Sequence, residues 1–190
     1  MRIVIDLHAD ATVGSPCACN NGVRTTQCHN CIQYETSCND CFVKAHRNLP
    51  FHWAQVWERD RGYFTRCDLS VLGGAVHLGH NGERCPNSST EYLFTIVDSN
   101  GVHLTKLSFC GCVGSEERLK QLTRAQLFPT MTKDPRTAFT FSILKQFHLH
   151  TLESKKAAYD YLGALRRLSD NSFTADVPVS IPCIIITIFW

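Results

Sequence analysis

Charge is scarce in this sequence. Only 19% of its 190 residues are Asp, Glu, Lys or Arg, against roughly 25% in an average globular protein. The 19 basic residues are nearly balanced by 17 acidic ones, for a formal net charge of +2. That pattern excludes a polybasic nucleic-acid tail and a highly charged disordered region. Long apolar runs are missing as well. No stretch approaches the roughly 18 apolar residues of a bilayer-spanning helix, and the longest, Ile181 to Trp190, is interrupted by Pro182. The segment Met1 to Asp10 has an apolar patch broken by Asp6 and His8, without the uninterrupted core and small-residue cleavage site of a secretory signal. No membrane partner is expected, and the expected location is intracellular.

What is abundant is cysteine, 11 residues, accompanied by 9 histidines. Thiols inside a cell stay reduced, so clustered Cys points to metal, with a disulfide framework as the alternative. The order along the chain is Cys17-Ala-Cys19, Cys28-His-Asn-Cys31, Cys38-Asn-Asp-Cys41, then His46 and His52. A Cys-x-x-Cys turn lets two thiolates reach one tetrahedral ion, about 2.3 Å from each sulfur, with the backbone closing the chelate ring. Four pairs supply eight ligands, enough for two closed structural zinc sites. Alternation suggests a cross-brace: Cys17, Cys19, Cys38 and Cys41 share one ion, and Cys28, Cys31, His46 and His52 the other. Sequential pairing is the alternative. His29, inside a turn, reads as a solvated loop residue. The order of pairs resembles a B-box or RING-like finger, although the Cys-x-Cys opening departs from the usual two-residue gap.

Beyond His52 the sequence changes character. Trp53, Val56, Trp57, Tyr63 and Phe64 read as core aromatics and aliphatics joining the finger to the next region; no Lys/Arg run interleaves them as a base-stacking platform needs. Val71–Gly79 reads as a strand with a glycine bulge. Tyr92–Val97 and Val102–Phe109 flank Asp98-Ser-Asn-Gly101, a hairpin signal, so a small antiparallel sheet is expected. Near it, His80, Cys85, Cys110 and Cys112 could close a third zinc site, the alternative being incidental thiols with His77 and His103 as ordinary residues. Cys67 and Cys183 have no evident partner. Helices are expected over Arg118–Leu127, after an Asp134-Pro135 cap with Phe139, Ile143 and Phe147 on one face, and over Ser154–Leu168. In the last, Ala158, Tyr161, Leu162, Leu165 and Leu168 face inward. Lys155, Lys156, Arg166 and Arg167 lie on the wet side.

The expected fold class is therefore α+β: an N-terminal cross-brace zinc finger, a small antiparallel sheet and C-terminal helices. The expected division is an arm over 1–15, the finger over 16–57, the sheet over 58–115, a helical segment over 116–176 and an apolar tail over 177–190. No catalytic residue is expected. A zinc deaminase needs His-x-Glu with Pro-Cys-x-x-Cys beside an open coordination position, and His80-Asn-Gly-Glu83 has the wrong spacing. Asp98 reads as a turn residue and Asp160 as a helix-surface residue, so no small-molecule substrate is expected.

Several stretches share their order with one family: Leu78-Gly-His80-Asn-Gly, Asn100-Gly-Val-His103, Phe109-Cys-Gly-Cys112, Gln121-Leu, Phe128-Pro-Thr130, Pro135-Arg-Thr-Ala-Phe-Thr-Phe141, Ser154-Lys155, Tyr159-Asp160 and Leu168-Ser-Asp-Asn171. With the preceding cysteine pairs, they resemble the CxC2-like cysteine-cluster domain found ahead of the catalytic domain in KDZ (Kyakuja, Dileera and Zisupton) transposases of fungal genomes. The resemblance runs from about Pro16 to Asp176. It implies a zinc-chelating module, two structural ions with a third in question, that helps a transposase engage DNA or chromatin in the nucleus. The alternative is a B-box-like module that docks the transposase catalytic domain or another protein, or oligomerises it, without touching DNA. Such transposases continue into an RNase H-like catalytic domain, whereas this sequence passes into Pro178-Val-Ser-Ile-Pro-Cys-Ile-Ile-Ile-Thr-Ile-Phe-Trp190. The expectation is a truncated gene model or a decayed element copy, with a tail foreign to the fold and prone to aggregate.

Overall fold

The computed structural model describes residues 12–88, 90–171 and 173–177. The chain divides into two compact units, Met1–Ala75 and Val76–Trp190. Residues 1–11 of the expected arm, most of the expected tail and Cys183 lie outside the described residues.

In the first unit, β1 (Thr26–Cys28), β2 (Ala54–Glu58) and β3 (Tyr63–Cys67) form an antiparallel sheet in that order, with helix α1 (Asn39–Ala45) between β1 and β2 in sequence. Cys28, Ala54 and Cys67 stand in register across the three strands. The apolar core is small: Cys28, Phe42, Ala54 and Leu69 are buried, with Cys31, Tyr34, Val43, Cys67 and Leu72 packed on them. So few apolar side chains offset little of the entropy of ordering these loops, so the unit needs another source of stability.

The expected boundary after residue 57 cuts through β2, because Trp57 and Glu58 pair with Phe64 and Tyr63 of β3. The aromatic run therefore belongs to this sheet and is not a linker. Trp57 meets Phe64 edge-on at 5.0 Å, and the Arg66 guanidinium lies 4.6 Å from the centre of the buried Trp53 ring. The strand expected over 71–79 is also revised. Leu69–Leu72 is a 3₁₀ turn closed by Gly73, whose φ of 88° suits a residue without Cβ. Only Val76–His77 is extended.

That short strand, β4, opens the second unit. Its other elements are β5 (Tyr92–Asp98), β6 (Gly101–Ser108), α2 (Arg118–Arg124), β7 (Leu127–Pro129), β8 (Thr137–Thr140), α3 (Phe141–Ser154) and α4 (Ala158–Ser169). The sheet runs β4-β6-β5-β8-β7. It is antiparallel at β5–β6 and β7–β8, and gains parallel neighbours at β4–β6 and β5–β8. The hairpin forms where Asn-Gly signals it, with Asp98 paired to Gly101 and Ser99-Asn100 as the turn. Val97, Val102, Phe139, Ile143, Leu144, Leu162, Leu165 and Val177 make a continuous core under α3 and α4.

Both β7 and β8 fall inside the segment expected to be helical, so that segment is no separate domain. Helix α2 stops at Arg124, and Gln126, at φ 60°, turns the chain into β7. Pro135 does not start a helix: 137–140 completes the sheet, and α3 begins only at Phe141. Thr140 is its N-cap; its Oγ1 accepts from the Ile143 N–H (3.3 Å) and donates to the Asp98 carboxylate. Asp98 thus has a structural task. Lys155, at φ 50°, ends α3, so the last helix starts at Ala158 and not at Ser154. Leu162 and Leu165 face inward, whereas Leu168 is exposed. Val177, expected to begin the tail, packs in the core. The fold class is α+β: a cysteine-cluster unit with its own small sheet, then a mixed sheet carrying C-terminal helices.

Candidate metal centres

The first cluster is built by a tight knuckle against a helix start. Cys17 N–H donates to the Gly22 carbonyl (2.8 Å) and Asn20 N–H to the Cys17 carbonyl (2.9 Å), which turns Cys17 and Cys19 to one side. Cys38 caps α1 and Cys41 lies in its first turn. A Cβ on Gly22 would stand 2.9 Å from the Cys38 Cβ, so glycine lets the knuckle approach the helix. Cys38 N–H points at Cys17 Sγ (3.4 Å), and Cys19 Sγ lies 3.6 Å from Cys38 Sγ.

The second cluster joins the end of β1 to the far end of α1. Cys31 N–H points at Cys28 Sγ (3.3 Å). His46, the C-cap of α1, is buried, and its Nδ1–H donates to the Phe42 carbonyl oxygen (3.0 Å). That bond fixes the tautomer and leaves Nε2 as the free donor, 3.5 Å from Cys31 Sγ. His52 presents Nδ1 instead, 3.5 Å from Cys28 Sγ and 3.3 Å from Cys31 Sγ. The Asn30 side chain, accepting from Trp53 N–H (2.7 Å), ties the two loops together. His29 is exposed and outside the cluster.

The third cluster sits beyond one end of the second unit's sheet. Parallel pairing of β4 with β6 brings the turn holding His80 beside Cys110 and Cys112. His80 Nε2 lies 3.3 Å from Cys110 Sγ and 3.4 Å from Cys112 Sγ. Cys85 Sγ lies 3.7 Å and 3.5 Å from the same two sulfurs. A Cβ on Gly79 would stand 3.1 Å from the Cys110 Cβ, and one on Gly111 would collide with the Asn87 carbonyl oxygen.

In each group of four, the donor atoms all lie within 4.8 Å of one another. A tetrahedral ion about 2.3 Å from sulfur and about 2.05 Å from nitrogen spans S···S edges of about 3.8 Å and S···N edges of about 3.5 Å. The separations above match those edges and are far longer than a disulfide of about 2.05 Å. The ten described cysteines are free thiols, which sets the disulfide framework aside.

Electrostatics within the clusters points the same way. Backbone N–H groups of Cys19 and Cys38 pull the Cys17 thiol down to about 6. Burial pushes the Cys85 thiol up, but the Gly111 N–H and the Cys112 thiol outweigh it, again to about 6. Their neighbours move the other way: the Cys19 and Cys38 sulfurs push Cys41 up to about 12, and those of Cys85 and Cys110 push Cys112 up to about 11. One thiolate forms readily in each of these two clusters, but a full set of thiolates requires a cation among them. In the second cluster burial raises Cys28 to about 11, and desolvation lowers His46 and favours the neutral ring that a metal needs. All three groups could therefore hold metal ions.

Every residue singled out as a ligand in the sequence thus falls in a four-donor group, and the first two groups are arranged crosswise. His77 bonds Ser108 (2.7 Å) and the buried His103 bonds Asn100 (2.9 Å) through their ring nitrogens, and neither belongs to the third cluster. Cys67 on β3 joins no cluster. Sequence reasoning missed the supports: Phe42 behind His46, Gly22 behind Cys38, and Gly79, Gly111 and Gln121 around Cys110 and Cys112. The only signal for them was small residues in and beside the Cys motifs and one polar residue on a helix's inward face.

Two zinc-finger-like clusters braced crosswise, and a third on an α+β unit, define a cysteine-cluster protein with three groups that could hold metal ions. The model of the CxC2-like cysteine cluster associated with KDZ transposases matches residues 69–173, more than half of the chain, and the chain belongs to that family. The match contains the third cluster and not the first two. No curated protein and no solved structure matches the chain.

Proposed function

We propose that this chain is a zinc-binding, non-catalytic module of a KDZ-type transposase that engages DNA or chromatin in the nucleus. The observation that carries the reading is the closed donor set. Each cluster supplies four protein ligands at tetrahedral spacing, which suits a structural ion and leaves no coordination position for water or substrate. Mixed thiolate and imidazole donors favour zinc over magnesium, calcium or manganese. The nucleic-acid part rests on the family's association with transposases.

A second reading has its own support. Loaded with three divalent ions, nine thiolates would bring the formal charge from +2 to about −1, so overall charge does not favour DNA. Ile32, following Cys31, and Val113, following Cys112, stand almost fully exposed at the tips of metal knuckles, where they suit docking to a protein. The salt dependence of duplex binding separates the two readings. Phosphate contacts give an affinity that falls steeply with salt; zinc-loaded protein with no duplex affinity at about 50 mM salt would exclude the DNA reading.

A further inference from the structure

One buried side chain outside the ligand sets grips the third cluster. The ladder of β6 ends at Ser108, so sheet hydrogen bonds do not hold the peptide of Cys110. Gln121 of α2 takes both sides of it. Cys110 N–H donates to Gln121 Oε1 (2.8 Å), and Gln121 Nε2 donates to the Cys110 carbonyl (3.1 Å) and to the Glu116 carbonyl (2.7 Å). Gln121 is 9% exposed and lies beside the fully buried Leu122. An amide at such a position costs stability unless its polar groups are matched, and here both donors and the acceptor are used. Cys110 in turn faces His80 and Cys85, so the clamp sets where one sulfur of the tetrahedron stands.

We infer that Gln121 is the positioning residue of the third cluster, holding Cys110 in ligating geometry and coupling α2 to metal occupancy. The inference rests on the reading of that cluster as a zinc site. A partner of a ligand's own backbone fixes the donor before the ion arrives, and losing such an outer-shell partner typically weakens metal binding about 10- to 100-fold.

The test uses the full chain with Gln121→Glu, which keeps the shape and the acceptor but loses both donations, and Gln121→Leu, which loses all three bonds. Zinc is counted by native mass spectrometry, the weakest ion's affinity is measured by chelator competition, and cobalt(II) reports the ligand field. The wild type should hold three zincs. Both variants should keep two ions tightly, bind the third about 10- to 100-fold more weakly, and show an altered cobalt spectrum for that ion. A lower melting temperature with third-ion affinity and cobalt spectrum unchanged overturns the inference. Should Q121L fail to fold, Q121E decides alone. A wild type holding two zincs, with Cys85→Ser not reducing the count, overturns the zinc reading of the cluster itself, and the inference with it.

Discussion

The His46 imidazole lies flat on the Phe42 ring, 4.1 Å between centroids and 15° between planes, one helical turn further along α1. The same residue supplies the carbonyl that orients the ring, and Tyr34 closes the pocket edge-on to both. One apolar residue thus serves the small core and the second cluster together, which makes it the most informative single position in the first unit.

Phe42→Ala removes a fully buried ring and should lower stability by about 3–5 kcal/mol, as large-to-small core changes do. Zinc counting should show one ion held more weakly than in the wild type, because His46 loses the surface that fixes its plane. A variant that unfolds at lower denaturant yet binds every ion as tightly as before would limit Phe42 to packing.

Metal removal should affect the two units differently. Among the described residues, the core cluster of the first unit holds Cys28, Phe42, Ala54 and Leu69, whereas that of the second holds eight buried residues, with α3 and α4 packed over the sheet. Chelation should therefore collapse hydrogen-exchange protection over Thr26–Cys28 and Asn39–Ala45 while Tyr92–Asp98 and Gly101–Ser108 stay protected. Acid should act in the same direction as chelator, since thiolates and imidazoles must lose protons to bind. Equal loss of protection in both units would contradict this.

Cys67, which belongs to none of the three donor groups, offers a pH-dependent readout. Burial, with Asp68 and Glu58 nearby, pushes its thiol from 9.0 up to about 11. The folded state therefore favours the neutral thiol; the stability this contributes is full below about pH 9 and is lost as pH rises toward 11. At pH 8 iodoacetamide should label Cys67 in the zinc-loaded chain roughly 100-fold more slowly than an unperturbed thiol, because only the thiolate reacts. Labelling at the rate of a small free thiol would show that the site is open.

Thr140→Ala removes the cap of α3 and the hydroxyl held by Asp98. Loss of an N-cap costs about 1 kcal/mol, and a denaturant melt of the second unit should show a loss of that order with metal content unchanged. Thr140→Ser keeps the oxygen and should restore most of it.

The ligand chemistry was legible in the sequence because it is local. Cys38-x-x-Cys41 and Cys28-x-x-Cys31 bring their thiols together within four residues, and Asn100-Gly101 marks the hairpin, although the turn itself is Ser99-Asn100 with Gly101 paired to Asp98. Alternation of the pairs already favoured crosswise grouping, since chelating pairs must interleave to brace one another. Tertiary structure decided what depends on distant partners. Residues 137–140 became a strand because β5 offered an edge to pair with, and 127–129 because β8 in turn offered one, which outweighs the helical spacing of Phe139, Ile143 and Phe147. Glu58 went with the first unit because β3 pairs with it. Gln121 became the clamp on Cys110 because its inward face on α2 meets a peptide eleven residues away in sequence. Short-range stereochemistry determines which residues can hold an ion; only long-range packing determines what holds those residues in place.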